Sequence, residues 1–317
     1  MYSTAAFILT ACIAPALAET SWQTDLDAAL TQAAAEHKAV LAAFTGKGWC
    51  GSCMDLERKL THTPAFMKEA AKNFILVELD LPQNAADTEP LKKRNSQWAA
   101  RYGISYVPAL LVLDAEGGAY GGYFGGTHTD EIVRRQLGKA LSSLKERAEK
   151  RRQADQLDGN NKTETLLQAY LSIAAAHRST HRQLRDQIAS LDPNDTSGLG
   201  ELEKLEAQLR QPSGKTSEER HAWGTSILQQ IEAATSRRQL PRATLIPLLD
   251  VKSTILAMQA RTPEQLDAAC ALLDELSALS PENAAWYAQR KTDILRHKER
   301  MQKETGRETL RSGSQEP

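Results

Sequence analysis

Two cysteines separated by two residues, Cys50 and Cys53, stand just beyond the apolar run Ala39-Val40-Leu41-Ala42-Ala43-Phe44. No other feature constrains the chain as strongly. The run has the length of a buried strand, Thr45-Gly46-Lys47-Gly48 breaks it, and a helix is expected from about Gly51, carrying Met54, Leu56, Arg58 and Leu60. C-x-x-C at the start of a helix puts both sulfurs on one edge of the first turn, where a disulfide closes without backbone movement. The unpaired N–H groups and the positive dipole end there favour a thiolate at Cys50, which makes it the expected nucleophile. Cys53, one turn further in and less exposed, is the expected resolving thiol, attacking the mixed disulfide that Cys50 forms. Gly51 and Ser52 leave the approach open.

A C-x-x-C pair is also half of a zinc site, but the other half needs two further ligands and only His62 lies near in sequence. Capture of Cu(I) by two thiolates is the softer variant of that alternative. No metal and no cofactor are therefore expected. The remaining cysteines form no disulfide framework: without Cys12 an odd number is left. Cys270 lies with Leu266 and Leu273 on one helical face, which reads as buried packing.

Along the chain, an Ala-rich helical pattern covers Asp25 to Lys38, and Thr63-Pro64 marks a helix start. Phe74-Ile75-Leu76-Val77-Glu78-Leu79-Asp80 reads as a second strand, and a helix is expected from about Leu91 to Arg101. Ala109-Leu110-Leu111-Val112-Leu113 and Ala119-Tyr120-Gly121-Gly122-Tyr123-Phe124 flank Glu116-Gly117-Gly118 as a hairpin, and a last helix opens at Thr129. The order β, α, β, α, β, β, α with a leading helix ends near Leu144. From about Lys145 to Arg307 only helical spacing appears, including a capping-box signature at Thr262-Pro263-Glu264-Gln265. His177 and His181 extend the apolar stripe Leu167, Tyr170, Ala174, Leu184, Ile188 at helical spacing and read as core or boundary residues. The length of 317 residues suits two domains. Their expected bounds are 19–144 and 145–307, followed by a polar, disordered tail over 308–317.

The segment Phe44-Thr45-Gly46-Lys47-Gly48-Trp49-Cys50-Gly51-Ser52-Cys53, then Asp80, then Tyr106-Val107-Pro108-Ala109, resembles the thioredoxin family, in particular its exported bacterial branch. The resemblance covers roughly Ser21 to Leu144. It implies an α/β thioredoxin-like fold, a central mixed sheet flanked by helices, here followed by an all-α helical domain. In that family the proline before the fourth core strand is cis and faces the disulfide, and Pro108 matches it. A cis X-Pro bond exposes the preceding backbone to a substrate chain, so Val107 and Trp49 are the expected substrate contacts. Two departures stand out: Ser52 occupies a position where thioredoxin has proline, and Ala42-Ala43 stand where it has a buried acid. Glu57, on the helix of Cys53, is the candidate to handle the proton in its place.

The implied activity is that of a thiol:disulfide oxidoreductase, a reductase or isomerase of protein disulfides, with an unidentified redox donor or acceptor. The alternative is a binding or scaffold protein whose helical domain recruits a partner. The formal net charge of -1 argues against a nucleic-acid footprint, and the basic run from Lys145 to Arg152 is interleaved with Glu146 and Glu149 as a solvated helix face. A composition 41% apolar and 25% charged leaves no room for a transmembrane span. Tyr2 to Ala18 is apolar and ends in Ala16-Leu17-Ala18, which resembles a signal-peptidase site, although no Lys or Arg precedes it. A leader over 1–18 and a periplasmic or secreted protein are expected. The alternative is a membrane-anchored lipoprotein through Cys12, from the lipobox-like Leu9-Thr10-Ala11-Cys12.

Overall fold

Strand β1 (Ala39–Thr45) is buried along its whole length, as an apolar run without alternation requires of a strand covered on both faces. The computed structural model describes residues 21–84, 89–125, 129–210, 214–236 and 240–312. The leader expected over 1–18, with Cys12, lies outside them. β1 pairs in parallel with β2 (Phe74–Asp80) and antiparallel with β3 (Ala109–Leu113), which pairs antiparallel with β4 (Ala119–Phe124). The order across the mixed sheet is β2-β1-β3-β4. At the β2 side, Gln23 adds an isolated parallel bridge to Val77.

One face of the sheet, with Val40, Ala42, Phe44, Val77, Leu79, Leu111 and Leu113, forms a core with Leu26, Ala29 and Ala33 and with Ala99 and Tyr102. The first three belong to α1 (Leu26–Glu36), whose N-cap Asp25 accepts from the N–H groups of Asp27 and Ala28. Ala99 belongs to α4 (Pro90–Arg101). The short helix α2 (Gly51–Leu56) runs into a π-helical turn over Glu57–Thr61. It is followed by α3 (Pro64–Ala70), where the Thr63 hydroxyl caps Phe66 N–H and Pro64 takes a first-turn position, as the sequence predicts. In the β3–β4 hairpin, Asp114 Oδ1 accepts from the N–H groups of Glu116 and Gly118. The pairing is irregular between Leu111 and Leu113, and a Cβ at Gly122 would stand 1.8 Å from Leu110 O, so only glycine fits there.

The chain divides into two compact units between Leu141 and Ser142. The division falls inside one helix, α5 (Asp130–Ala154). The second unit continues with α6 (Gly159–Leu171), α7 (Ala175–Arg178), α8 (Arg182–Leu191), α9 (Leu199–Leu209), α10 (Ser217–Ser236), α11 (Arg242–Gln259), α12 (Gln265–Leu279) and α13 (Ala284–Ser312). No strand occurs among its described residues. Leu167, Tyr170, Leu184 and Ile188 share a core there with Leu166, as their spacing predicts, whereas Ala174 of the same expected stripe is exposed.

His177 and His181 do not share a helix, however. His177 lies in α7 and His181 precedes α8. Arg178 accounts for the break: its buried guanidinium donates to the carbonyls of Leu171 and Ile173 and pairs with Glu206. The side chain thus satisfies carbonyls at the end of α6 that a continuing helix would have used. At α12 the regular helix starts at Gln265 rather than just after Thr262, yet Gln265 Oε1 accepts from Thr262 N–H at 3.2 Å, the reach-back arm of the expected capping box. Where the polar composition suggests a tail from 308, α13 continues to Ser312, because Lys, Glu and Arg are strong helix formers. Among the described residues no helix is long and apolar enough to cross a membrane.

Candidate active site

Cys50 is the N-cap residue of α2, with an extended backbone, and its Sγ accepts from Cys53 N–H at 3.2 Å. Cys53 lies one turn in, 1% exposed against 7% for Cys50. The two are joined in a disulfide, with Cα atoms 5.3 Å apart. A tight turn delivers the pair: Cys50 N–H donates to Gly46 O at 2.9 Å. The indole of Trp49 lies over Gly46, where a Cβ would come within 2.4 Å of the ring. Trp49 Nε1 donates to Leu81 O at 3.1 Å. Its ring therefore rests on the turn with its polar edge fixed to the segment after β2.

The loop before β3 meets the disulfide from another side. The Val107–Pro108 peptide bond is cis, and Val107 O lies 3.8 Å from Cys50 Sγ. Tyr106, Trp49 and Met54 are exposed. Thus Cys50, Cys53, Trp49, Val107 and Pro108, gathered from two separate stretches of sequence, come together at one end of the sheet.

Glu57 sits one turn beyond Cys53, its backbone N–H bonded to Cys53 O. Its carboxylate accepts the Thr45 hydroxyl at 2.6 Å, so it faces the end of β1 rather than open solvent. Sequence reasoning missed a second acid on this face. Glu78 is 4% exposed and stands opposite Ala43 in the β1–β2 register. Its carboxylate pairs with Lys47 Nζ at 2.8 Å and His62 Nε2 at 3.2 Å. Burial pushes the Glu78 carboxyl up, but the bonds from His62 and Lys47 outweigh it and hold it below the ordinary glutamate value. The signal was present: Glu78 is the one charged residue inside the apolar run from Phe74 to Leu79. His62 stacks on Trp22 with ring centroids 5.5 Å apart. Among the described residues no group of three or more His, Cys, Asp or Glu is placed to hold a metal ion.

A family model described as thioredoxin-like matches residues 21–115. The chain carries a thioredoxin-family domain. The fold class the sequence implied, a thioredoxin-like domain with a mixed sheet followed by a largely helical region, is the one observed. Over 102 residues the chain is 29% identical to the disulfide bond reductase DsbH of Chlamydia pneumoniae, covering 32% of this chain and 61% of that protein. Over 95 residues it is 24% identical to the thioredoxin-related protein DsbJ of the same organism, covering 30% of this chain and 27% of that protein. The chain thus spans less than two thirds of the length of either relative. A solved structure described as DsbH oxidoreductase is 25% identical and covers 44% of this chain and 95% of its own, with a TM-score of 0.35.

Proposed function

We propose that the protein is an exported thiol:disulfide oxidoreductase that reduces or isomerises disulfides of other proteins through Cys50 and Cys53. The observation that carries this reading is the Cys50–Cys53 disulfide at the N-terminus of α2, with Val107 O beside the Cys50 sulfur. Similarity to a protein named as a disulfide bond reductase supports it.

In the reduced protein the Cys50 thiolate attacks one sulfur of a substrate disulfide. A Cys50–substrate bond forms, the substrate S–S bond breaks, and the departing substrate thiolate takes up a proton. Cys53 then loses its proton and attacks Cys50 Sγ, which releases the second substrate thiolate and forms the observed disulfide. Two electrons pass to the substrate, and a donor protein or small thiol restores the dithiol. Val107 offers backbone to the substrate strand beside Pro108, and Trp49 forms the neighbouring wall. Glu57, one turn from Cys53 in the chain, accepts the proton that Cys53 must lose.

Export is read from Ala16-Leu17-Ala18, with lipidation of Cys12 as the alternative anchor, and the helical unit is assigned the selection or orientation of a partner. The decisive experiment follows reduction of a model protein disulfide by the wild type and the Cys50→Ser variant. Turnover by the first and none by the second is expected. A wild type that never cycles would leave the scaffold reading in its place. Intact mass of the mature protein tests export: a chain beginning at Glu19 is expected, and a diacylglyceryl mass on Cys12 would favour the lipoprotein.

A further inference from the structure

Both flanks of the dithiol segment end on one buried carboxylate. Lys47 stands three residues before Cys50, in the turn closed by the Cys50 N–H to Gly46 O bond. His62 closes the π-helical turn that continues α2. The Lys47 ammonium lies 2.8 Å from Glu78 Oε1, and His62 Nε2 lies 3.2 Å from Glu78 Oε2. The backbone of Lys47 is held as well, its N–H donating to Asp80 Oδ1 at 2.7 Å. Lys47 and His62 are the side-chain partners of the Glu78 carboxylate, while Glu57 and Asp80 also act on Lys47.

Reduction of the Cys50–Cys53 bond changes the charge of this segment, because the reduced form carries a thiolate at Cys50. A nearby cation stabilises that form and makes the couple more oxidising. A nearby anion does the reverse. Lys47 is the cation closest to Cys50 in sequence, and Glu78 neutralises it from the adjacent strand.

We infer that Glu78 is a positioning and charge-balancing residue of the dithiol: it fixes Lys47 against β2 and, by neutralising it, restrains the oxidising power of the Cys50/Cys53 couple. The inference rests on the redox reading of that pair. It places the balancing acid on β2, opposite Ala43, and gives Lys47 an electrostatic role beyond solubility.

The test measures the equilibrium between full-length protein and glutathione buffers, in which the dithiol and oxidised glutathione exchange two electrons for the disulfide and two reduced glutathiones. Wild type, Glu78→Gln, Lys47→Met and the double variant are compared at neutral pH. Glu78→Gln removes the carboxylate paired directly with Lys47 and should shift the equilibrium toward the dithiol by about threefold or more. Lys47→Met should shift it toward the disulfide, and the double variant should return to within about twofold of the wild type. A residue that only braced the fold would move both single variants the same way, so equal signs, or no shift in folded variants, overturn the inference. Should Glu78→Gln fail to fold, Lys47→Met decides alone, since that side chain is 54% exposed. A shift toward the disulfide then supports the inference and any other result overturns it. A wild type that does not exchange with glutathione at all would instead sink the redox function. A wild type that exchanges with unshifted variants leaves the function standing and removes only the role of Glu78.

Discussion

Thr45 donates its hydroxyl to the Glu57 carboxylate at 2.6 Å, which ties the last residue of β1 to the helix turn just beyond Cys53. The bond holds the carboxylate at the end of β1, on a residue one turn beyond the resolving thiol. Glu57→Gln keeps the shape and the hydrogen bond but removes the base. Its expected effect is to slow the second step, attack of Cys53 on the mixed disulfide, by about tenfold, below the full range of a general base because water can substitute. Capture of substrate by Cys50 should be unchanged. Stopped-flow or quenched-flow analysis of the two steps separates them, and equal slowing of both would remove Glu57 from proton handling.

The order of attack follows from burial and position. Cys50 is the N-cap residue and the more exposed of the pair. Replacement of Cys53 by Ala should leave a persistent mixed disulfide between Cys50 and substrate proteins, recoverable on a non-reducing gel. Replacement of Cys50 should trap little. Comparable trapping by the two variants would overturn the assignment.

Cys270 should stay out of this chemistry. It is buried on α12, and burial pushes its thiol up, with Lys291 opposing. A thiol reagent applied to the oxidised native protein at neutral pH should label none of Cys50, Cys53 and Cys270. After unfolding in denaturant, still oxidised, it should label Cys270 but neither Cys50 nor Cys53. Rapid native labelling at Cys270 would show that the packing of α12 is looser than its burial implies.

Glu78 also makes an acid-stability prediction. Its carboxyl is held below the ordinary glutamate value, with burial opposing and the His62 and Lys47 bonds prevailing. The stabilisation is present above the unfolded-state value of about 4.3 and is lost as pH falls through the lower folded-state value. Between about pH 5 and about pH 3, the melting temperature of the wild type should therefore fall more steeply than that of Glu78→Gln. Parallel decline in the two proteins would mean that the carboxylate contributes no net stability.

Much of the dithiol site was legible in the sequence because its signals are local. The run Ala39–Phe44, the breaker Thr45-Gly46-Lys47-Gly48 and the cysteine spacing lie within one continuous stretch, and Thr63-Pro64 announces a helix by its own chemistry. Glu78 was not legible as a partner of this stretch. Its pairing with Lys47 and His62 exists only once the β1–β2 register sets it opposite Ala43. The break between α6 and α8 was hidden for a similar reason. No Gly or Pro separates Leu171 from Arg182, and the stop is imposed by Arg178 turning inward to the carbonyls of Leu171 and Ile173. The π-helical turn at Glu57–Thr61 likewise has no composition that marks it.

The two outer strands of the sheet are finished differently, and this bears on how the chain behaves at high concentration. An unpaired strand edge is a template on which another chain can add, the first event of aggregation. On the β2 side the single bridge from Gln23 to Val77 occupies part of that template. On the β4 side the ladder is irregular between Leu111 and Leu113, and Gly122 must remain glycine for the strand to approach Leu110. Two adjacent glycines, Gly121 and Gly122, in the middle of β4 and the irregular ladder beside them make that side a poorer template for a neighbour. Both outer strands of the four-stranded sheet are thus finished in ways that discourage copies of the domain from joining it edge to edge.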